Sequence, residues 1–324
     1  MMKLKKVCFA ALPILCLSAC DQNGASQKTL ESVTVQNGEV YYYINGLEKP
    51  FHVMFLSDTH FTVEDERGRE FYDYAKRMGG DAAKPENYGK GNRRDLLLTA
   101  SLDRAKAAGA ELVILGGDII NYPSLASVER VKTIMDSCGI NWVYTPGNHD
   151  WHYEGEPGDS RSQHDKWTKT NLVPLYQGKN PLYDSQIING INFVTIDNSD
   201  FEISQQQLDF FKAQIAKGLP IILGVHIPFY LQGHNIDYGC GSPYWNDKSD
   251  IYYEIERRAP WPKEGLSKIT FEFRDLAIGS PTVIGIYAGH VHEEAVDYVN
   301  NRIQYVAGAN YDGKDILIHF IPAE

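Results

Sequence analysis

Leu112-Val113-Ile114-Leu115-Gly116-Gly117-Asp118 is an apolar, β-branched run that stops at two glycines and delivers a carboxylate. The same pattern recurs along the chain. His52 to Leu56 runs into Ser57-Asp58-Thr59-His60, and Trp142 to Tyr144 leads to Gly147-Asn148-His149-Asp150. Ile221 to Val225 delivers His226, and Val283 to Tyr287 delivers Gly289-His290-Val291-His292. Short apolar runs bounded by turn residues read as buried strands. Helical stripes lie between several of them. Val128, Val131, Met135 and Cys138 form one, ended by Gly139; Ser204 caps another, with Gln207 at the capping-box position and Leu208, Phe211 and Ile215 inward. Alternation of this kind implies an α/β layered fold, closed by strands at Val283 to Tyr287, Ala295 to Val299, Ile303 to Val306 and Ile316 to Phe320.

Where the polar residues fall is the informative point. In open α/β sheets ligands bind beyond the carboxyl ends of the strands, so five ends that each carry Asp, His or Asn imply one shared site. The donors are oxygen and imidazole without thiolate, a set that suits Mn, Fe, Zn, Co or Ni. Residues two apart on an extended segment project to the same side, which pairs Asp58 with His60 and His290 with His292. Asp118 follows two glycines that permit close backbone approach, and it is placed to offer one oxygen to each of two ions. Ions held ~3.5 to 4 Å apart stabilise both the attacking and the leaving oxygen of an in-line displacement.

The ordered blocks D-x-H, G-D, G-N-H-D, a lone H and G-H-x-H, spanning Asp58 to His292, resemble those of the calcineurin-like metallophosphoesterases. The resemblance implies a two-sheet β-sandwich flanked by helices, with a dinuclear metal site at the strand ends. Asp58, His60, Asp118 and His292 would bind one divalent ion, and Asp118, Asn148, His226 and His290 the second. His149 would stand off the metals, face the scissile phosphate and assist the leaving group, with Asp150 orienting it. The activity implied is hydrolysis of phosphate mono- or diesters by a metal-bridging hydroxide. A non-catalytic binding lipoprotein on the same scaffold is the alternative.

Lys3, Lys5 and Lys6 precede the apolar stretch Val7 to Leu17, the pattern of a secretory leader. Leu17-Ser18-Ala19-Cys20 resembles a bacterial lipobox, which implies cleavage after residue 19 and lipidation of Cys20, including acylation of the palmitate type. The expected organisation is a signal peptide over 1–19, a lipidated tether over 20–32 and one domain over 33–324, anchored by lipid in the bacterial cell envelope. Losing three lysines and no acid takes the net charge from −11 to −14. An acidic surface disfavours extended nucleic acid as a partner and leaves recruitment of a small phosphate ester to the metal ions. Past Cys20 only Cys138 and Cys240 remain, too few for a disulfide framework.

Two long connections, 61–92 and 229–280, read as insertions. In the second, Arg257 and Arg258 are candidates to bind phosphate oxygens; the plainer reading pairs them with Glu254 and Glu256. Asp197, after the Ile191 to Ile196 strand, either orients a ligand histidine or forms a turn before Asn198. His52 and His319 read as packing or surface histidines, and His164 and His234 as loop histidines. His152 sits near enough to His149 to touch substrate, or else lies in a surface loop.

Overall fold

A computed structural model describes residues 27–67, 72–152, 156–233, 239–243 and 266–324. The proposed leader, Cys20, His234, Arg257 and Arg258 lie outside the described residues. In chain order the elements are β1 (Thr29–Gln36), β2 (Glu39–Asn45), β3 (Phe51–Leu56), α1 (Tyr72–Gly79), α2 (Arg93–Ala107), β4 (Ala110–Leu115), α3 (Leu125–Cys138), β5 (Asn141–Tyr144), α4 (Asn148–Trp151) and α5 (Ser160–Thr168). They continue with β6 (Tyr183–Ile188), β7 (Ile191–Ile196), α6 (Gln205–Ile215), β8 (Ile221–Gly224), α7 (Lys268–Gly279), β9 (Val283–Ala288), β10 (Ala295–Val299), β11 (Arg302–Val306) and β12 (Ile316–Pro322).

Two six-stranded mixed sheets form, in the orders β1-β2-β12-β3-β4-β5 and β10-β11-β9-β8-β7-β6. The two-residue period of the strands sorts their side chains into two layers. Phe51, Val53, Phe55, Leu112 and Ile114 face the second sheet and meet Ile191, Phe193, Ile222 and Tyr305 there. Met54, Leu56, Val113 and Leu115 point the other way, under Leu98, Leu102, Val128 and Val131 of α2 and α3. Both faces of the parallel strands are thus covered, which is why their sequences run almost unbroken in apolar residues. Phe51, Phe193 and Phe320 interlock across the sandwich at ring separations of 4.6 to 6.3 Å. Each such buried ring contributes about 1.5–3 kcal/mol. The expected capping box is present: Ser204 Oγ accepts from Gln207 N, and Gln207 Oε1 accepts from Ser204 N at 2.9 Å.

Two expected boundaries move. The domain starts at Thr29 rather than 33, because β1 pairs antiparallel with β2 through the left-handed turn Asn37-Gly38 and lays Leu30, Val33 and Val35 on the core. Its intervening Glu, Ser and Thr gave it the look of a tether. The connection over 229–280 is also less of an insertion than its length suggests. Its last part is α7, capped by Ser267, which is the crossover between the parallel strands β8 and β9. The connection over 61–92 carries α1 and two short 3₁₀ turns. Cys138 and Cys240 are both buried free thiols. Among the described residues no helix is long and apolar enough to cross a membrane.

Candidate metal centre

Asp58, His60, Asp118, His290 and His292 share an uncommon backbone: all have positive φ, between 45° and 73°. The residues therefore meet through left-handed turns, not by projecting to one side of an extended segment as expected. β3 and β9 end at Leu56 and Ala288, and the polar residues follow in tight left-handed turns. Each such turn costs a non-glycine residue about 1–2 kcal/mol, and Asp and His tolerate it through local hydrogen bonds. The turns are locked to one another. Asp58 N donates to Gly117 O at 3.0 Å, His60 N to Asp118 O at 2.8 Å and His290 N to both Asp58 carboxylate oxygens at 3.0 and 3.1 Å. Glycines permit this approach: a Cβ on Gly117 would collide with the His226 ring, and one on Gly289 with Ser57 and Asp58.

The side chains gather into two groups that share Asp118. Ligand atoms of Asp58, His60, Asp118 and His292 lie within 4.8 Å of one another, and so do those of Asp118, His226 and His290. His60 Nε2 and His292 Nε2 are 3.1 Å apart, and His292 Nε2 lies 3.3 Å from Asp58 Oδ1. Asp118 Oδ2 is 3.3 Å from His226 Nε2 and 3.7 Å from His60 Nε2. Its other oxygen accepts from His149 N at 2.8 Å. Asn148 is buried at the start of α4, immediately before His149.

Each imidazole is steered by its far nitrogen. His226 Nδ1 donates to Gly116 O at 3.0 Å, His60 Nδ1 to Asn121 Oδ1 at 3.2 Å, and His292 Nδ1 meets Tyr311 Oη at 3.0 Å. The Nε2 atoms are thereby turned to the carboxylates. His226 Nε2 is the clearest test of whether ions fit: it is fully buried and, despite its nearness to Asp118, makes no hydrogen bond. A buried imidazole nitrogen aimed at a carboxylate shared by two donor groups fits a metal ligand. The donor set is compatible with a dinuclear site for borderline or hard divalent ions.

Burial alone would raise Asp58 and Asp118, yet the surrounding histidines hold both below the usual carboxylate range. Burial likewise opposes charge on His226, but Asp118 and Asp58 outweigh it and push that imidazole up to about 10. His60 goes the other way, to about 3, through burial and then the neighbouring His149.

The contacts described for Asp150 are to backbone amides. Its oxygens accept from Ile120 N and Gly147 N, both at 2.8 Å, so it ties the loop after β4 to the loop after β5. The His149 ring has Nδ1 3.3 Å from Asn121 O and sits 4.6 Å from the His60 ring. Asp197 orients a histidine, but not a ligand: its Oδ2 is 2.6 Å from His164 Nε2, and its Oδ1 accepts from Ser199 N in the expected turn. His164 lies on α5 rather than in a loop. His152 is buried against Gln163 Oε1 at 2.7 Å. His52 and His319 pack side by side on β3 and β12. Arg257 and Arg258 cannot be placed in this frame, since they fall outside the described residues.

Three supporting residues had no motif to reveal them. Asn198 receives His226 N and Ile227 N on its Oδ1 at 3.1 and 3.0 Å. Asn121 and Tyr311 hold His60, His149 and His292 as described. Asn198 alone carried a usable signal, its position at the carboxyl end of β7.

The model of the family described as calcineurin-like phosphoesterase matches residues 51–294. Among solved structures, a dimetal phosphatase from Danio rerio is similar at 11% identity and TM-score 0.50, over 82% of this chain and 89% of that one. A 5′-nucleotidase-like protein of Staphylococcus aureus is similar at 12% identity and TM-score 0.42, over 81% of this chain and 49% of that one. The anchor in the inner membrane complex of Plasmodium is similar at 10% identity and TM-score 0.42, over 81% and 73%. No curated protein matches.

Proposed function

The chain belongs to the calcineurin-like phosphoesterase family, and from that premise we propose that it hydrolyses phosphate mono- or diesters at a two-metal centre. The observation that carries the reading is Asp118, one carboxylate common to two groups of metal-ligand atoms. Asp58, His60, Asp118 and His292 would hold one ion, and Asp118, Asn148, His226 and His290 the other. When bound, such a pair supplies a nucleophile at neutral pH and stabilises charge on the phosphoryl oxygens.

The chain's own residues do the rest. Asn198 and Gly116 fix His226 at its backbone and Nδ1, so the ring cannot turn away from Asp118. Asn121 holds the planes of His60 and His149 together. With Nδ1 bonded to a carbonyl in either charge state, His149 carries its transferable proton on Nε2, and we assign it the role of protonating the leaving group. Asp150 keeps the loop bearing Asn148 and His149 against the loop bearing Asp118. We also propose export and lipid attachment at Cys20, supported by the leader and lipobox in the sequence.

Purified protein assayed on phosphate mono- and diesters tests the proposal. Chelation should abolish turnover and Mn, Fe or Zn should restore it. Full activity in metal-free protein is the result that contradicts it.

A further inference from the structure

Three rings meet at the metal-ligand group formed by Asp58, His60, Asp118 and His292. His60, His292 and Tyr311 pack edge to face on one another, with centroids 5.0 to 5.6 Å apart. Tyr311 sits on the 3₁₀ turn Asn310–Asp312, before β12. That turn is tied to the segment after β3: Asn310 N donates to Ser57 O at 2.9 Å, and Tyr311 N to Asp58 O at 3.2 Å. Tyr311 thus touches Asp58 through its backbone, His60 through its ring and His292 through its hydroxyl, 3.0 Å from Nδ1. These are the three residues that this group does not share with the group of Asp118, His226 and His290.

Arg94 closes the far side of the Tyr311 ring. Its guanidinium lies over that ring, 5.6 Å from the centroid, and donates to His60 O and, at 3.2 Å, to Thr62 Oγ1. It stands in the first turn of α2, where Asn92 caps the helix by accepting from Arg94 N at 2.9 Å. A cation there works against the helix dipole. Helix stability therefore does not account for Arg94, whereas the His60 carbonyl and the Tyr311 ring do.

The other group is held by different means. His226 is fully buried, with Nδ1 on Gly116 O and its backbone N on Asn198 Oδ1, and the His290 ring lies against those of His226 and Phe201. The His292 side chain, by contrast, is 35% exposed. Its orientation depends less on packing and more on the bond to Tyr311.

We propose that Tyr311, backed by Arg94, is a positioning residue for one ion of the two. It sets the geometry of Asp58, His60 and His292 and leaves His226 and His290 to their own supports. The inference rests on the two-metal reading of the site and divides that site into halves that can be loosened separately. For His292 to offer the Nε2 lone pair to an ion, its proton must lie on Nδ1 and be donated to Tyr311 Oη. A phenylalanine at 311 keeps the ring contacts and removes that acceptor.

The test is stepwise withdrawal of zinc from the loaded full-length protein by a competing chelator. It is read by zinc content and by nuclear magnetic resonance of labelled imidazoles, without substrate. In Tyr311→Phe the ion sensed by His60 and His292 should bind about 10- to 100-fold more weakly than in the native protein. The ion sensed by His226 and His290 should leave as it does from the native protein, so that the variant passes through a state with one ion per chain. Arg94→Met should weaken the same ion, and Arg94→Lys, which keeps a cation over the ring, should stay close to native. A merely structural role would weaken both ions together, and that outcome overturns the proposal. So would native retention of both ions by Tyr311→Phe; native retention by Arg94→Met would remove Arg94 from the pair. Should Tyr311→Phe fail to fold, the comparison of Arg94→Met with Arg94→Lys decides by the same readout. A native protein that binds no second zinc would overturn the two-metal reading and this inference with it, whereas two ions lost alike from native and variant proteins would overturn this inference alone.

Discussion

Asn121 holds two histidines at once: its side-chain oxygen lies 3.2 Å from His60 Nδ1, and its backbone carbonyl lies 3.3 Å from His149 Nδ1. Only the first contact is lost when the side chain is removed. Asn121→Ala should therefore loosen His60 and lower metal affinity by about 10- to 100-fold, as loss of a partner behind a ligand does. At saturating metal, the dependence of rate on leaving-group basicity should match that of the native protein. Metal titrations and a leaving-group series check the two halves, and a changed leaving-group dependence would place the side chain in the proton transfer itself.

Asp118→Asn and His149→Ala should separate metal binding from proton transfer. Elemental analysis should show metal lost from Asp118→Asn and kept in His149→Ala. The latter should lower kcat by ~10² to 10⁴, the usual contribution of a general acid. That loss should shrink on nitrophenyl esters, whose leaving group departs without a proton. Equal losses on all substrates would remove His149 from the role.

The pair His164 and Asp197 predicts a pH dependence of stability away from the site. Burial opposes charge on His164, but Asp197 outweighs it and raises the imidazole above its ordinary value. A group raised in the folded state stabilises fully below its unfolded pKa and loses that contribution as pH rises through the folded one. Asp197→Asn should therefore destabilise by about 1.5–3 kcal/mol on the acid side of 6.5, the scale of a hydrogen bond to a charged group. The penalty should decline on the alkaline side. Thermal melts of both proteins across that window decide it, and a difference that grows with pH has the wrong sign.

Cys20→Ala should abolish metabolic labelling by fatty acid and leave the leader uncut, because a single thioether would carry the anchor. Labelling that persists in the variant refutes lipid attachment at Cys20.

The strands and their order of blocks were legible because each buried strand is a run of apolar residues closed by turn residues, as at Leu112 to Asp118. The helix capped by Ser204 was legible for an equally local reason, the reciprocal bonds with Gln207. β1 was not, since an edge strand needs only alternate apolar residues and its polar ones read as linker. Nor was the task of Asp150, because its partners Ile120 N and Gly147 N are backbone amides, which no sequence motif marks. Asn121 and Tyr311 escaped for a related reason. Asn121 follows Asp118 by three residues but acts on His149, and Tyr311 acts on His292 from the turn before β12.

Left-handed backbone at Asp58, His60, Asp118, His290 and His292 also bears on how such a protein decays over generations. Asn and Gly enter that region as readily as Asp, whereas Val, Ile and Thr are strongly disfavoured there. An Asp to Asn exchange at Asp58 or Asp118 thus strips a charge while the turn keeps its shape, and a β-branched replacement removes charge and turn together. A lineage drifting by the first route would inherit intact loops around a silent centre, and its members would keep the outline of a hydrolase long after hydrolysis had gone.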